Sequence, residues 1–219
     1  MVIASIDIQK GKVVQLKKGS ELILEKDNVL EVAEDFNKYG EVAVIDLDAA
    51  LGLGENTEII KPLLRKAECR VGGGIRTAKQ ARELVSFGAK KIIVGTAALR
   101  NTEGKSGLNT DFLEQLAEAV GKDRIILAVD AASSETALSG YEIVVDGWKT
   151  RTSLDLVETA CLAEKYVSEF LLTCIDNEGT LSGINLEPVM NLRELVSCKV
   201  TAASGVKSLE EIETLARYE

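Results

Sequence analysis

Short apolar runs and longer segments with helical spacing alternate along this chain. Runs rich in β-branched residues fall at 2–6, 42–47, 91–95, 125–129, 169–174 and 198–203, with a weaker one at 68–71 before a triple glycine. Between them, apolar residues recur at three- and four-residue steps. In 29–39, Val29, Val32, Ala33 and Phe36 share one helical face. Segments 57–66, 78–87, 111–120, 153–165, 187–195 and 208–217 read the same way. Gly40 and Gly88 stand just past two of these helices, where C-terminal caps belong. Run 142–145 has no helix before it and is flanked by Gly140 and Gly147, which predicts a hairpin inside a loop. Strand–helix alternation predicts a parallel sheet with right-handed crossovers.

A half-length repeat selects between parallel architectures. I-A-S-I-D-I (3–8) matches I-L-A-V-D-A (126–131), each ending in an acid, Asp7 and Asp130. V-G-G-G-I-R-T (71–77) is echoed by A-A-S-G-V-K-S (202–208). An open doubly wound sheet usually carries G-x-G-x-x-G after its first strand, whereas Asp7 occupies that point here. The predicted fold is therefore an α/β, (β/α)8 TIM barrel in one domain, built from half-barrels at 1–121 and 122–219. Only seven units are found, and the eighth is expected to be missing from this chain. Strands one and seven would then have open edges, to be covered by each other or by a partner chain in a homodimer.

Composition narrows the function. The chain has 219 residues and a net charge of −9, which disfavours a nucleic-acid surface. Aromatic residues make up only 4%, so base-stacking platforms are not expected. The start lacks a signal-peptide pattern, and no apolar stretch is long enough to span a membrane, so a cytoplasmic protein is expected. Cys69, Cys161, Cys174 and Cys198 are dispersed and read as reduced, buried or near-buried thiols. There is no histidine, which excludes histidine triads and disfavours zinc. Proton transfer falls to Asp, Glu, Cys, Lys or Tyr.

Asp7 and Asp130 end strands on opposite sides of the predicted barrel, at the end where such barrels do chemistry. Gly73, Gly74, Gly95 and Thr96 lie in two adjacent strand-to-helix turns, a candidate phosphate cradle. Ser204 and Gly205, with Gly179 and Thr180, form the second-half counterpart. T-C-I-D-N-E-G-T offers Asp176 and Glu178 near the mouth. Trp148, the only tryptophan, either stacks on a planar ligand or packs as a lid on the rim. The pattern suggests acid/base chemistry on a substrate with two phosphates. The other reading is a non-catalytic barrel that binds a phosphorylated metabolite or a protein.

Particular segments carry a family resemblance: I-A-S-I-D-I-Q-K-G-K-V-V-Q-L-K-K-G, V-I-D-L-D-A-A-L-G, V-G-G-G-I-R-T, I-I-V-G-T-A-A-L-R-N, D-G-W and I-D-N-E-G-T-L-S-G. Over essentially its whole length the chain resembles the HisA/HisF barrels of histidine biosynthesis. It is closer to the phosphoribosylformimino-AICAR ribotide isomerases than to their sister cyclases. The resemblance implies an Amadori rearrangement of a phosphorylated sugar-amine, aldose to ketose, without cofactor or metal. It implies that Asp7 is the base at C2, with Glu178 or Asp130 as the acid. Thr173 matches a further active-site position, Arg76 a ligand-contacting arginine and Trp148 the mobile-loop tryptophan. Three departures stand out. Glu178 stands where the family has Asp, Ala203-Ser204-Gly205 where it has Ser-Gly-Gly, and the eighth strand would carry half of the second phosphate site.

Overall fold

The computed structural model describes residues 1–17, 19–100, 105–178 and 183–217. In chain order, β1 (Ala4–Gln9), β2 (Lys12–Lys17) and β3 (Glu21–Lys26) precede α1 (Val29–Asn37). Next come β4 (Val42–Asp46), α2 (Leu47–Leu51), α3 (Thr57–Leu64), β5 (Cys69–Gly72), α4 (Ala78–Phe87), β6 (Lys91–Val94) and α5 (Thr110–Val120). The second half has β7 (Ile125–Ser133), β8 (Tyr141–Val145), β9 (Thr150–Asp155), α6 (Leu156–Ala163), β10 (Glu169–Cys174), α7 (Leu186–Leu195), β11 (Lys199–Ala203) and α8 (Leu209–Ala216). Polar side chains start most helices. Asn28, Asp46, Thr77, Asn109, Asp155, Asn185 and Ser208 each accept a hydrogen bond from a first-turn N–H.

The parallel path runs β11-β10-β7-β6-β5-β4-β1, seven strands among the described residues. Ile125, Ile126, Leu127 and Val129 of β7 are fully buried, as expected of a strand covered on both faces. The sheet curls into an α/β barrel. Three strand spacings separate β5 from β10, roughly 14 Å in a flat sheet. Arg70 of β5 nevertheless bonds directly to Glu169 of β10. Apolar helix faces pack outside the strands in two clusters, one around Ile6, Val44 and Leu63, the other around Leu127, Phe170 and Leu192.

Charge fills the barrel at the N-terminal ends of its strands. Buried Arg70 bonds to Glu169 and to Glu41 just before β4. Glu169 also accepts from Lys91 of β6 at 2.8 Å and Thr201 of β11 at 2.6 Å. Burial pushes the Glu169 carboxyl up, but the Lys91, Thr201 and Arg70 contacts outweigh it and hold the group below the usual range.

Several expectations are corrected. The hairpin β2–β3 was not predicted, and it changes the edge expected to be open. β2 pairs antiparallel with β1 over Asp7–Gln9, so that part of β1 is covered. β11 pairs only with β10 among the described residues. Run 142–145 is a hairpin strand as predicted, but its partner β9 was missed. Helix α1 is capped by Lys38, with Gly40 two residues beyond, whereas Gly88 does cap α4. Cys161 is exposed rather than buried, because its turn of α6 faces outward. No helix of the described residues is long and apolar enough to cross a membrane.

Candidate active site

The carboxylates converge at the C-terminal ends of the strands. Asp7 is partly buried on β1, where its strand turns through Lys10 and Gly11 into β2. Both turn residues have positive φ, as a two-residue hairpin requires. Buried Asp48 and Asn56 hold that turn by accepting from the Lys10 and Gly11 N–H groups. Burial, reinforced by the nearby charge of Glu178, pushes the Asp7 carboxyl up to about 6. Asp130 lies on β7 beside Thr173 of β10. Burial raises it as well, against hydrogen bonds from Trp148 and Thr173 that favour its charged form, and Glu178 adds to the rise. Glu178, just after β10, is itself raised by burial and drawn back by a hydrogen bond from Ser204. Its Oε2 is buried and makes no hydrogen bond among the described residues.

Asp7 and Glu178 line one cleft of about 340 Å³ between the β2–β3 hairpin and α1, with Gln15, Lys26, Leu24 and Phe36. Sequence reasoning missed Gln15 and Lys26, because they enter on a hairpin it did not predict. The Lys10-Gly11 pair within alternating I-D-I-Q and V-V-Q-L was the available signal, weakened by Lys at a position that Asn or Asp usually fills. Asp176 turns elsewhere: its carboxylate accepts from Ser133 N and Oγ at 3.0 and 2.7 Å, tying its loop to β7.

Trp148 spans the mouth. Asp146, Gly147 and Trp148 all have positive φ, making a left-handed turn between β8 and β9. The indole N–H donates to Asp130, and the ring packs on Gly19 beyond β2, where an added Cβ would lie 2.9 Å from Cζ3. In this structure the tryptophan packs across the rim, one of its two expected roles.

The glycine turns repeat in the two halves. After β5, Gly73 and Gly74 have φ of 98° and 67°; after β11, Ser204 and Gly205 have 93° and 68°. A Cβ on Gly73 would lie 2.2 Å from the Asp46 carbonyl oxygen. Gly73→Ala is therefore expected to lose more than about 1 kcal/mol in a urea melt. Gly95 keeps a negative φ and has room for a Cβ. Thr96 accepts from the Asp146 N–H at 3.2 Å. Arg76 reaches back to the carbonyls of Ala49 and Ala50 at the end of α2, 3.0 and 3.1 Å away. Arg76, Thr96, Arg100, Asn109 and Asp146 help line a second cleft of about 390 Å³. Just before α4 the Arg76 and Thr77 N–H groups donate to Gln80 Oε1 at 2.9 and 3.1 Å. In the second half, Gly183 N–H donates to Gly205 O at 2.9 Å, so the two predicted loops do meet. Gly179 and Thr180 lie outside the described residues.

The chain is similar to known proteins over its whole length. The family model described as histidine biosynthesis protein matches residues 1–219. The chain belongs to that histidine-biosynthesis family. Three similar relatives carry the name 1-(5-phosphoribosyl)-5-((5-phosphoribosylamino)methylideneamino)imidazole-4-carboxamide isomerase. The one from Methanosphaera stadtmanae is 32% identical, covering 99% of this chain and 88% of its own. That from Methanocaldococcus jannaschii is 34% identical, covering 98% and 87%. That from Methanococcus voltae is 34% identical, covering 96% and 84%.

Proposed function

We propose that this chain is the isomerase its relatives are named for, performing the Amadori-type aldose-to-ketose rearrangement of a phosphoribosyl-amine in histidine biosynthesis. One observation carries the reading beyond family membership. A carboxylate raised to about 6, Asp7, shares a cleft with a second raised carboxyl, Glu178. The reaction needs such a pair. One group protonates the ribose ring oxygen so that the ring opens to an iminium, and the other removes the C2 proton to give the enol-amine. A base with a pKa near working pH suits the second step, and a carboxyl raised by burial is a readier proton donor for the first than an exposed one.

Asp7 is the base and Glu178 the acid in this assignment. Asp130, held by Thr173 and Trp148, anchors the sugar hydroxyls and fixes the tryptophan over the mouth. Gly73, Gly74, Gly95, Thr96 and Arg76 would take one phosphate, and Ser204, Gly205, Gly179 and Thr180 the other. Negative charge is balanced locally by Arg76, Arg100 and Lys26 against a chain whose net charge is −9.

Turnover of the two-phosphate aminal, followed by the absorbance change of the ketose product, tests the reading. Wild type is expected to turn over, and Glu178→Gln to lose roughly 100-fold in kcat with little change in KM. Glu178→Asp is expected to retain activity, since the carboxyl survives and only its reach changes. A wild type without turnover would overturn the proposal. It would favour a barrel that binds a phosphorylated ligand without this chemistry.

A further inference from the structure

Asn56 begins α3 but does not cap it. An asparagine at a helix start usually accepts from a first-turn N–H of its own helix, and this one does not. Its side chain is buried and turned to other elements. The amide oxygen accepts from the Gly11 N–H at 3.0 Å. The amide nitrogen donates to Asp46 Oδ1 at 2.7 Å and to Asp48 Oδ2 at 2.9 Å, which uses both of its hydrogens. A flipped amide would set its oxygen against two carboxylate oxygens, so the orientation is fixed. Asp46 also accepts from the Asn56 and Ala49 N–H groups, and Asp48 from the Lys10 N–H. One side chain thus ties the turn after β1 to the end of β4 and to α2.

That turn carries one wall of the cleft. Beyond Lys10-Gly11, β2 runs back along β1 with Val14 opposite Asp7 and Val13 opposite Ile8. Val13, Val14 and Gln15 of β2, with Leu24 and Lys26 of β3, line the cleft beside Asp7. The turn's own residues determine it weakly. Both have positive φ, at 50° and 79°, yet a lysine stands first where Asn or Asp usually precedes Gly. We infer that Asn56 is a positioning residue for Asp7: by fixing the Lys10-Gly11 turn, it holds the β2–β3 hairpin as the wall that keeps water from the Asp7 carboxyl. Its bearing on turnover rests on the reading of Asp7 as the base.

The wall has an electrostatic consequence. Burial is the larger cause of the raised Asp7 carboxyl, and the charge of Glu178 the smaller. The charged groups facing Asp7 across the cleft are Glu178, after β10, and Lys26, on β3. Lys12, at the start of β2, is paired with Glu25 and Asp27. Glu178 is carried by a different element from the hairpin. A loosened hairpin therefore acts on Asp7 chiefly by letting water in, which favours the charged form and moves the carboxyl down. Alanine at position 56 would leave the Gly11 N–H and one oxygen each of Asp46 and Asp48 without this partner.

The test compares wild type, Asn56→Ala, and Asn56→Ala combined with Lys10→Asn, each in the full chain. Lys10→Asn gives the turn the Asn-Gly pair that favours positive φ at both positions, without restoring any bond of Asn56. Asp7 is followed by its carboxyl ¹³C signal in aspartate-labelled protein, assigned with Asp7→Asn. In Asn56→Ala its titration is expected to fall from about 6 by about one pH unit. In turnover, kcat/KM is expected to fall by about 10²-fold, with its acid limb moved down in step. Adding Lys10→Asn is expected to return both toward wild type. A loss of stability alone would leave the titration of the folded molecules unmoved. An unmoved titration, or one that Lys10→Asn does not restore, overturns the inference. If Asn56→Ala does not fold, a double variant that folds with Asp7 titrating near 6 supports the inference, and any other result for it makes Asn56 a structural residue only. The titration requires no turnover. If it moves and is restored while wild type is inactive, the hold of Asn56 on the wall stands and the isomerase reading fails.

Discussion

Asp7→Asn is expected to lower kcat/KM by about 10²–10⁴-fold, the range that a positioned general base contributes. The amide keeps the shape of the side chain and removes its ability to take a proton. Wild-type kcat/KM should itself fall with unit slope below about pH 6, where Asp7 is raised by burial and by Glu178. An acid limb near 4 instead would mean that the base is another group or that Asp7 is better solvated than its surroundings imply.

The same substitution carries a stability consequence of opposite sign. A carboxyl whose folded pKa is raised binds its proton more tightly in the folded state than in the unfolded one. Its contribution is fully present below the unfolded value of 3.8 and is lost as pH rises through about 6. Above that pH the ionised Asp7 costs about 3 kcal/mol relative to a group with no shift. Asn does not titrate, so the stability difference between Asp7→Asn and wild type should widen by about 1.5 kcal/mol from pH 5 to pH 8. Urea unfolding at the two pH values measures this without any assay of turnover. The variant should gain stability as it loses activity, as expected where a fold tolerates a buried charge for the sake of chemistry.

Local patterns were readable in the chain; long-range contacts were not. The parallel strands and their helices were legible because each unit is a continuous apolar run followed by a helical period. The repeat of Gly73-Gly74 as Ser204-Gly205 could be seen in the letters, and the backbone angles bear out the match. Asp7 and Asp130 were legible as strand-end acids. That Glu178 would bear on both is set by the curl of the sheet, which brings the loop after β10 to β1 across the mouth. Hairpin β2–β3 escaped because its first turn, Lys10-Gly11, lacks the usual Asn or Asp and its second strand is exposed throughout. The grip of Asp48 and Asn56 on that turn and the seat of Trp148 on Gly19 are also contacts between distant segments. Periodicity does not encode such contacts.

Glu169→Gln is expected to destabilise the protein by about 3–5 kcal/mol, the usual result of removing one member of a buried ion cluster. Glu169 receives Arg70, Lys91 and Thr201 from three other strands, and it and Arg70 are almost fully buried. Without its charge, Arg70 keeps only Glu41, and Lys91 loses its partner. Because the folded pKa of Glu169 is depressed, its contribution is present above the unfolded value of 4.5 and is lost as pH falls through the folded one. The difference between variant and wild type should therefore shrink in acid, opposite to the pH trend of Asp7→Asn. Replacing Arg70 and Glu169 together by methionine should cost less than the sum of the two single losses, although the part-buried Lys91 and Glu41 each lose a partner. The cluster lies at the opposite end of the strands from the carboxylates of the mouth. Molecules of Glu169→Gln that remain folded should keep the wild-type pH profile of turnover. A changed profile would mean that the two ends of the barrel are coupled through its strands.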